Sequence, residues 1–177
     1  MSTTLPAIRI ASAVDAATLS VFARRVFHDT FAADNDPADM ALYLDYAFSE
    51  SKQRGELADP ARVCLLVEHE GVLVAYASVF RGSGNEQVTA GHPVELERFY
   101  VDGAWHGRGV AAPLMAAVRE VALEWGGDAL WLGVWERNPK AIRFYEKQGF
   151  ERVGAQTFTL GADVQRDAVM RAPLGAA

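Results

Sequence analysis

The stretch from Leu96 to Ala112, LERFYVDGAWHGRGVAA, constrains the fold more than any other part of this chain. A strand-like segment from Glu95 to Val101 runs into a short turn and then into Gly107 and Gly109. A long helix with apolar periodicity follows at once, from about Val110 to Trp125. The first turn of a helix carries backbone N–H groups that find no acceptor inside the helix, and the helix dipole adds positive charge at the same end. Such a terminus is a ready site for phosphate. Glycine at 107 and 109 removes the side chains that would hold a pyrophosphate away from the backbone. Two glycines ahead of a helix also serve simply as a tight turn, and the local pattern alone leaves both roles open.

The chain around this unit has 177 residues, enough for one domain with a full hydrophobic core. Half of it is apolar and 23% is charged, an ordinary globular balance. The formal net charge of −6 argues against a general nucleic-acid binder and is compatible with a cationic small substrate. The single Cys64 excludes an intrachain disulfide and a cysteine-cluster metal site, and its apolar run Val63 to Val67 suits a buried thiol. His28 and His106 do not stand at metal-ligand spacing with another His, Asp or Glu, so no metal is expected. The opening MSTTLPAIRIASA lacks a basic leader followed by an apolar block, and no apolar run approaches the ~20 residues that span a bilayer. The expectation is a cytoplasmic protein with no membrane partner; a homodimer is allowed.

Pro6 to Ala11 reads as a first strand, and Ser12 as the cap of a helix whose stripe is Leu19, Phe22, Val26 and Phe27. Pro37 suits the first position of a second helix, continued by Met40, Tyr43, Leu44 and Ala47, and a short amphipathic piece follows near Lys52 to Leu57. Val63 to Glu68 and Val72 to Arg81 form strands joined by a tight turn at Glu70 and Gly71. In the strand Pro93 to Val101, alternation predicts Glu95, Glu97, Phe99 and Val101 on one face and Leu96, Arg98 and Tyr100 on the other. Asp128 to Trp135 is apolar enough for a strand buried on both faces. Asn138 caps a compact helix with Pro139 at its first position, and Gly149 closes it. Phe150 to Leu160 and Val164 to Ala172 complete a single α/β domain. The unit from Glu95 to Trp135 should be a right-handed parallel crossover in an otherwise antiparallel sheet.

Two phosphate motifs can be set aside. No Gly-Lys-Ser/Thr follows the glycines, which excludes a Walker loop. The dinucleotide fingerprint fits poorly, with Ala112 at its third glycine, Glu136 too late for its acidic residue, and most of a sheet placed ahead of it. A second segment points elsewhere. The run from Asn138 to Phe150, NPKAIRFYEKQGF, resembles the C-terminal half of the GCN5-related N-acetyltransferase (GNAT) family, with its pattern N-x-x-A-x-x-F-Y-x-K-x-G-F. The segment His106-Gly107-Arg108-Gly109-Val110-Ala111 is similar to that family's acetyl-CoA loop, Q/R-x-x-G-x-G/A, with His106 in place of the usual Gln or Arg. A narrower likeness joins Phe27 to Phe31, and the tail Val153 to Phe158, Gly161, Gln165 to Asp167 and Met170, to the Pai-type bacterial spermidine/spermine acetyltransferases.

The resemblance implies a GNAT fold: a mixed, mostly antiparallel sheet of about seven strands flanked by about four helices, with a parallel pair splayed to hold acetyl-CoA. It implies that the backbone of Gly107, Arg108, Gly109, Val110, Ala111 and Ala112 holds the pyrophosphate, with His106 a cofactor contact at the head of the loop. The pantetheine arm would lie along Phe99, Tyr100 and Val101, with a backbone N–H near Phe99 as oxyanion donor. Asn138 would contact the cofactor, although a plain helix cap explains it too. Tyr145 is the candidate general acid for the departing thiolate, or else packs the helix on the sheet. An aliphatic amine must lose a proton before it attacks, and Glu97, then Glu95, are the candidate bases; a salt bridge explains either equally well. Asp29, Asp34 and Asp36 are placed to hold the far end of a polyamine, or simply to solubilise the surface. The first two helices and the loop from Gly82 to His92 are expected to shape the acceptor side. The leading expectation is an N-acetyltransferase acting on a small-molecule amine, a polyamine first. The same machinery could acetylate a protein N-terminus or lysine, and a non-catalytic acyl-CoA sensor would need only the glycine cradle.

Overall fold

The periodicities resolve, in a computed structural model that describes residues 6–175, into one sheet covered on both faces. Residues 1–5, part of the stretch read for a leader, lie outside the described residues. The strands are β1 (Ala7–Ile10), β2 (Arg62–His69), β3 (Val72–Arg81), β4 (Pro93–Val101), β5 (Ala129–Trp135), β6 (Glu151–Leu160) and β7 (Asp163–Pro173). The helices are α1 (Ala16–Phe31), α2 (Pro37–Ala47), α3 (Glu50–Ala58), α4 (Ala111–Glu124) and α5 (Pro139–Lys147). The strand order is β1-β2-β3-β4-β5-β7-β6, antiparallel throughout except for the parallel pair β4–β5. No helix among the described residues is long and apolar enough to cross a membrane.

Local chemistry accounts for the helix boundaries. Asp36 accepts the N–H groups of Ala38 and Asp39 ahead of Pro37, and Ser49 accepts that of Lys52 at the start of α3. The first helix begins later than Ser12 suggests, because Ala13–Asp15 first makes a 3-10 turn. One face of the sheet packs on α4 through the fully buried Leu114, Met115, Val118 and Ala122. The other packs on α1 and α2 through Leu19, Phe22, Val26, Phe27, Met40 and Leu44.

The alternation expected along β4 fails at Glu97. Ser78 of β3 pairs with Arg98, but Val79 pairs with Leu96, so Glu97 is an extra residue in a β-bulge. The bulge resets the period of two. Leu96, Phe99 and Val101 pack in the α4 core, whereas Tyr100 joins the α1–α2 core and stacks on Tyr76 at 5.7 Å. Glu97 bonds to Ser78 on the α1–α3 side, away from the face of Phe99 and Val101 where alternation had placed it.

Arg98 pins this strand from the same side. Its guanidinium forks onto the Glu56 carboxylate of α3, with Nη2 to Oε1 at 3.2 Å, and lies over the Phe48 ring. Both members of the pair are largely buried, so removing one strands the other without solvation. Arg98→Met should lower unfolding stability by about 3–5 kcal/mol, and adding Glu56→Met should recover most of that loss. Urea unfolding of the two variants checks both statements.

Candidate active site

β4 and β5 pair only at Pro93 with Ala129, Val94 with Leu130 and Glu95 with Trp131. Beyond these positions β4 stays with β3 as far as Val101, and β5 stays with β7 as far as Trp135. Between the parted strands lies a cavity of about 730 Å³. Glu95 to Val101 line one wall and Gly133 to Trp135 the other; the glycine turn and α5 close one end. Parting two strands leaves N–H and C=O groups along the facing edges without ladder partners. Such a slot suits an extended chain that carries amides of its own.

Gly107 and Gly109 both have left-handed backbones, with φ of 73° and 75°, and a Cβ added at either would meet nothing within 4 Å. Positive φ, rather than crowding, therefore selects glycine here. The N–H groups of Gly107, Gly109, Val110, Ala111 and Ala112 have no protein acceptor among the described residues, and these residues line the cavity. Several unpaired donors at the start of a long helix, facing open space, fit a diphosphate.

His106 closes the turn onto its neighbours. Its Nε2 lies 2.9 Å from the Val101 carbonyl and its Nδ1 lies 2.7 Å from Lys140 Nζ. An ammonium can only donate, so Nδ1 accepts and the ring proton sits on Nε2, donating to Val101. The Val101 carbonyl, expected to face the pantetheine arm, is thus already engaged. Arg108, also expected at the cofactor, turns its guanidinium over Trp105, and its side chain does not line the cavity.

On α5, Asn138 Oδ1 accepts the Ala141 N–H at 3.2 Å, and the residue also borders the cavity. Cap and cofactor contact are therefore compatible. Tyr145 is 8% exposed, set edge-on to Phe99 and Phe150, and its hydroxyl has no hydrogen bond among the described residues. Burial pushes its phenol upward.

Glu95 and Glu97 both border the cavity. Glu95 accepts a short bond from Ser83 Oγ, and Glu97 accepts from Arg62 Nη1 at 3.0 Å and from Ser78 Oγ at 3.3 Å. Burial raises both carboxyls; Ser83 opposes the rise at Glu95, and Arg62 at Glu97. Asp29, Asp34 and Asp36 are elsewhere: Asp29 faces Arg25 at 3.6 Å, Asp34 faces Arg137 at 3.8 Å, and Asp36 caps α2. None lines the cavity. Of the segments expected on the acceptor side, α1 and α2 contribute Phe27, Thr30, Phe31 and Tyr43, whereas residues 82–92 contribute nothing.

One carboxylate in the cavity was assigned no role from sequence. Asp167 of β7 is 7% exposed, and burial pushes it up to about 6, with Glu136 adding to the rise. It pairs across the ladder with Trp135, two residue pairs along from Gly133 and Val169 and so on the same face. A Cβ at Gly133 would come within 3.2 Å of Asp167 Oδ2 and 2.4 Å of Gln156 Nε2, so this glycine answers a close approach.

Comparison with known proteins agrees with this geometry. The model of the acetyltransferase (GNAT) family matches residues 24–150. An uncharacterised N-acetyltransferase of Mycobacterium tuberculosis is 37% identical over 156 residues, 88% of this chain and 96% of that protein. Streptothricin acetyltransferase of Streptomyces lavendulae is 31% identical over 142 residues, 77% of this chain and 71% of that one. Among solved structures, the PaiA N-acetyltransferase of Thermoplasma acidophilum, crystallised with coenzyme A, shares the fold. Its TM-score is 0.78 over 96% of this chain and 99% of that one, at 18% identity. The parted strands, the glycine turn and the match over most of the sequence lead to one assignment: the chain belongs to the acetyltransferase (GNAT) family, and is an N-acetyltransferase with acetyl-CoA as its co-substrate.

Proposed function

We propose that the acceptor is a primary amine of a small molecule, a polyamine first among candidates. The observation that carries this is the composition of the cavity beyond the seam. Aromatic rings from α1, α2 and β6 wall it, while Glu95 and Glu97 face it from β4. Aromatic faces and carboxylates together favour a cationic acceptor with an apolar stem.

Acetyl-CoA supplies a thioester whose carbonyl is open to attack by an amine. The unpaired N–H groups of Gly107, Gly109, Val110, Ala111 and Ala112 bind the diphosphate, and the free edge of β4 receives the pantetheine arm. A main-chain N–H near Phe99 donates to the acetyl oxygen as charge develops there. Glu97, with Glu95 as its neighbour, takes the ammonium proton directly or through water, so that the amine attacks neutral. Tyr145 returns a proton to the departing sulfur. Asn138 sets the start of α5 and thereby the position of Tyr145.

Three measurements test these roles. Release of free CoA thiol over an amine panel should be fastest with polyamines; turnover confined to peptides would contradict the small-molecule acceptor. Tyr145→Phe should reduce kcat by as much as ~10²–10⁴-fold with cofactor affinity unchanged. Undiminished turnover in that variant removes Tyr145 from the acid role. Gly109→Glu should weaken acetyl-CoA binding, since it sets a strained backbone and a like charge against the diphosphate; calorimetry showing normal affinity would place the phosphates elsewhere.

A further inference from the structure

The cavity contains a carboxylate whose charge nothing among the described residues answers. Asp167 makes no hydrogen bond and no ion pair among the described residues, although it is more than nine-tenths buried. The cations that border the same cavity are committed: Arg98 to Glu56, Lys140 to His106. A buried carboxylate without a partner is costly to ionise, so its retention in a cavity wall points to a ligand that brings the counter-charge.

Its surroundings define that ligand. Tyr43 meets Phe158 at 5.3 Å, and Phe31 meets Trp135 at 5.9 Å; all four rings line the cavity with Asp167. Ring faces around a carboxylate favour an alkylammonium over a hydrophilic cation. Glu97 on β4 and Asp167 on β7 border the same cavity from the two strands that flank β5. Gly133, without a side chain, lets the Gln156 amide and the Asp167 carboxylate lie close over β5.

We propose that Asp167 holds a second cationic nitrogen of the acceptor while the nitrogen to be acetylated lies beside Glu97 on β4. Asp167 is then a specificity residue that separates diamines and polyamines from monoamines of the same length. The inference rests on the proposed amine acceptor and adds the residue that selects it.

The test measures binding of 1,5-diaminopentane and of pentylamine to the CoA-loaded full chain by calorimetry, in wild type and in Asp167→Asn. The wild type should prefer the diamine by about tenfold or more, as expected for one charge-assisted contact, and Asp167→Asn should erase that preference while leaving pentylamine unchanged. KM for the diamine should rise in the variant, with kcat for pentylamine unaltered. A preference that survives Asp167→Asn, or a wild type with none, overturns the proposal. So does an equal loss for both amines, which would set Asp167 beside the nitrogen that both share. Thermal melting and CoA affinity report on folding of the variant, and Asp167→Ser repeats the comparison should the asparagine fail to fold. Thiol release from acetyl-CoA with pentylamine tests the amine-acetylating activity separately: its absence sinks that activity, whereas the binding comparison still decides the role of Asp167.

Discussion

The site depends on two parallel strands that let go of each other. β4 and β5 are joined at their starts and then diverge, each held by a ladder on its other side. A divergence of this kind must be propped, because an open sheet edge tends to find a partner. Here the prop is aromatic. The bulge at Glu97 turns Phe99 toward α5, where its ring stacks on Phe144 at 5.5 Å and meets Tyr145 edge-on at 6.3 Å. One irregular residue thus sets Phe99 against α5 and sends Glu97 to the opposite face.

The cavity that results has two chemically distinct ends. The end proposed for the cofactor is lined by main chain: free N–H groups at the start of α4 and the edge of β4. The end proposed for the acceptor is lined by side chains from segments far apart in sequence, among them Phe31, Tyr43, Phe158 and Asp167. A main-chain site recognises what every acyl-CoA has in common. A side-chain site can change its preference without disturbing the first. The Streptomyces lavendulae relative, named for streptothricin, and the uncharacterised Mycobacterium tuberculosis relative both match across most of this chain.

How much of this the sequence disclosed follows from the range of the interactions. Features set by near neighbours were plain: positive-φ glycines before an apolar helix, Asn138-Pro139 opening α5, the limits of β4 at Pro93 and Val101. The bulge was not, because a period of two gives no sign of a skipped beat; it appears only when β3 supplies the register. Asp167 was hidden for a related reason. Between Arg166 and Ala168 it resembles any strand aspartate, and it is buried only by what β5, β6 and α2 place around it. Asp29, Asp34 and Asp36 drew attention because they are close in sequence, yet each has a partner or a cap on the outer side of the helices. Charge that can be counted in a sequence is mostly charge that water already serves.

The turn at Gly107 and Gly109 stores its function in two dihedral angles. At positions 106 and 108 the side chains serve local contacts, a histidine tied to Lys140 and an arginine laid on Trp105, whereas the glycines cannot be exchanged without strain. Kinship judged from letters alone would underrate this loop; in this architecture ancestry is carried more faithfully by torsion than by spelling.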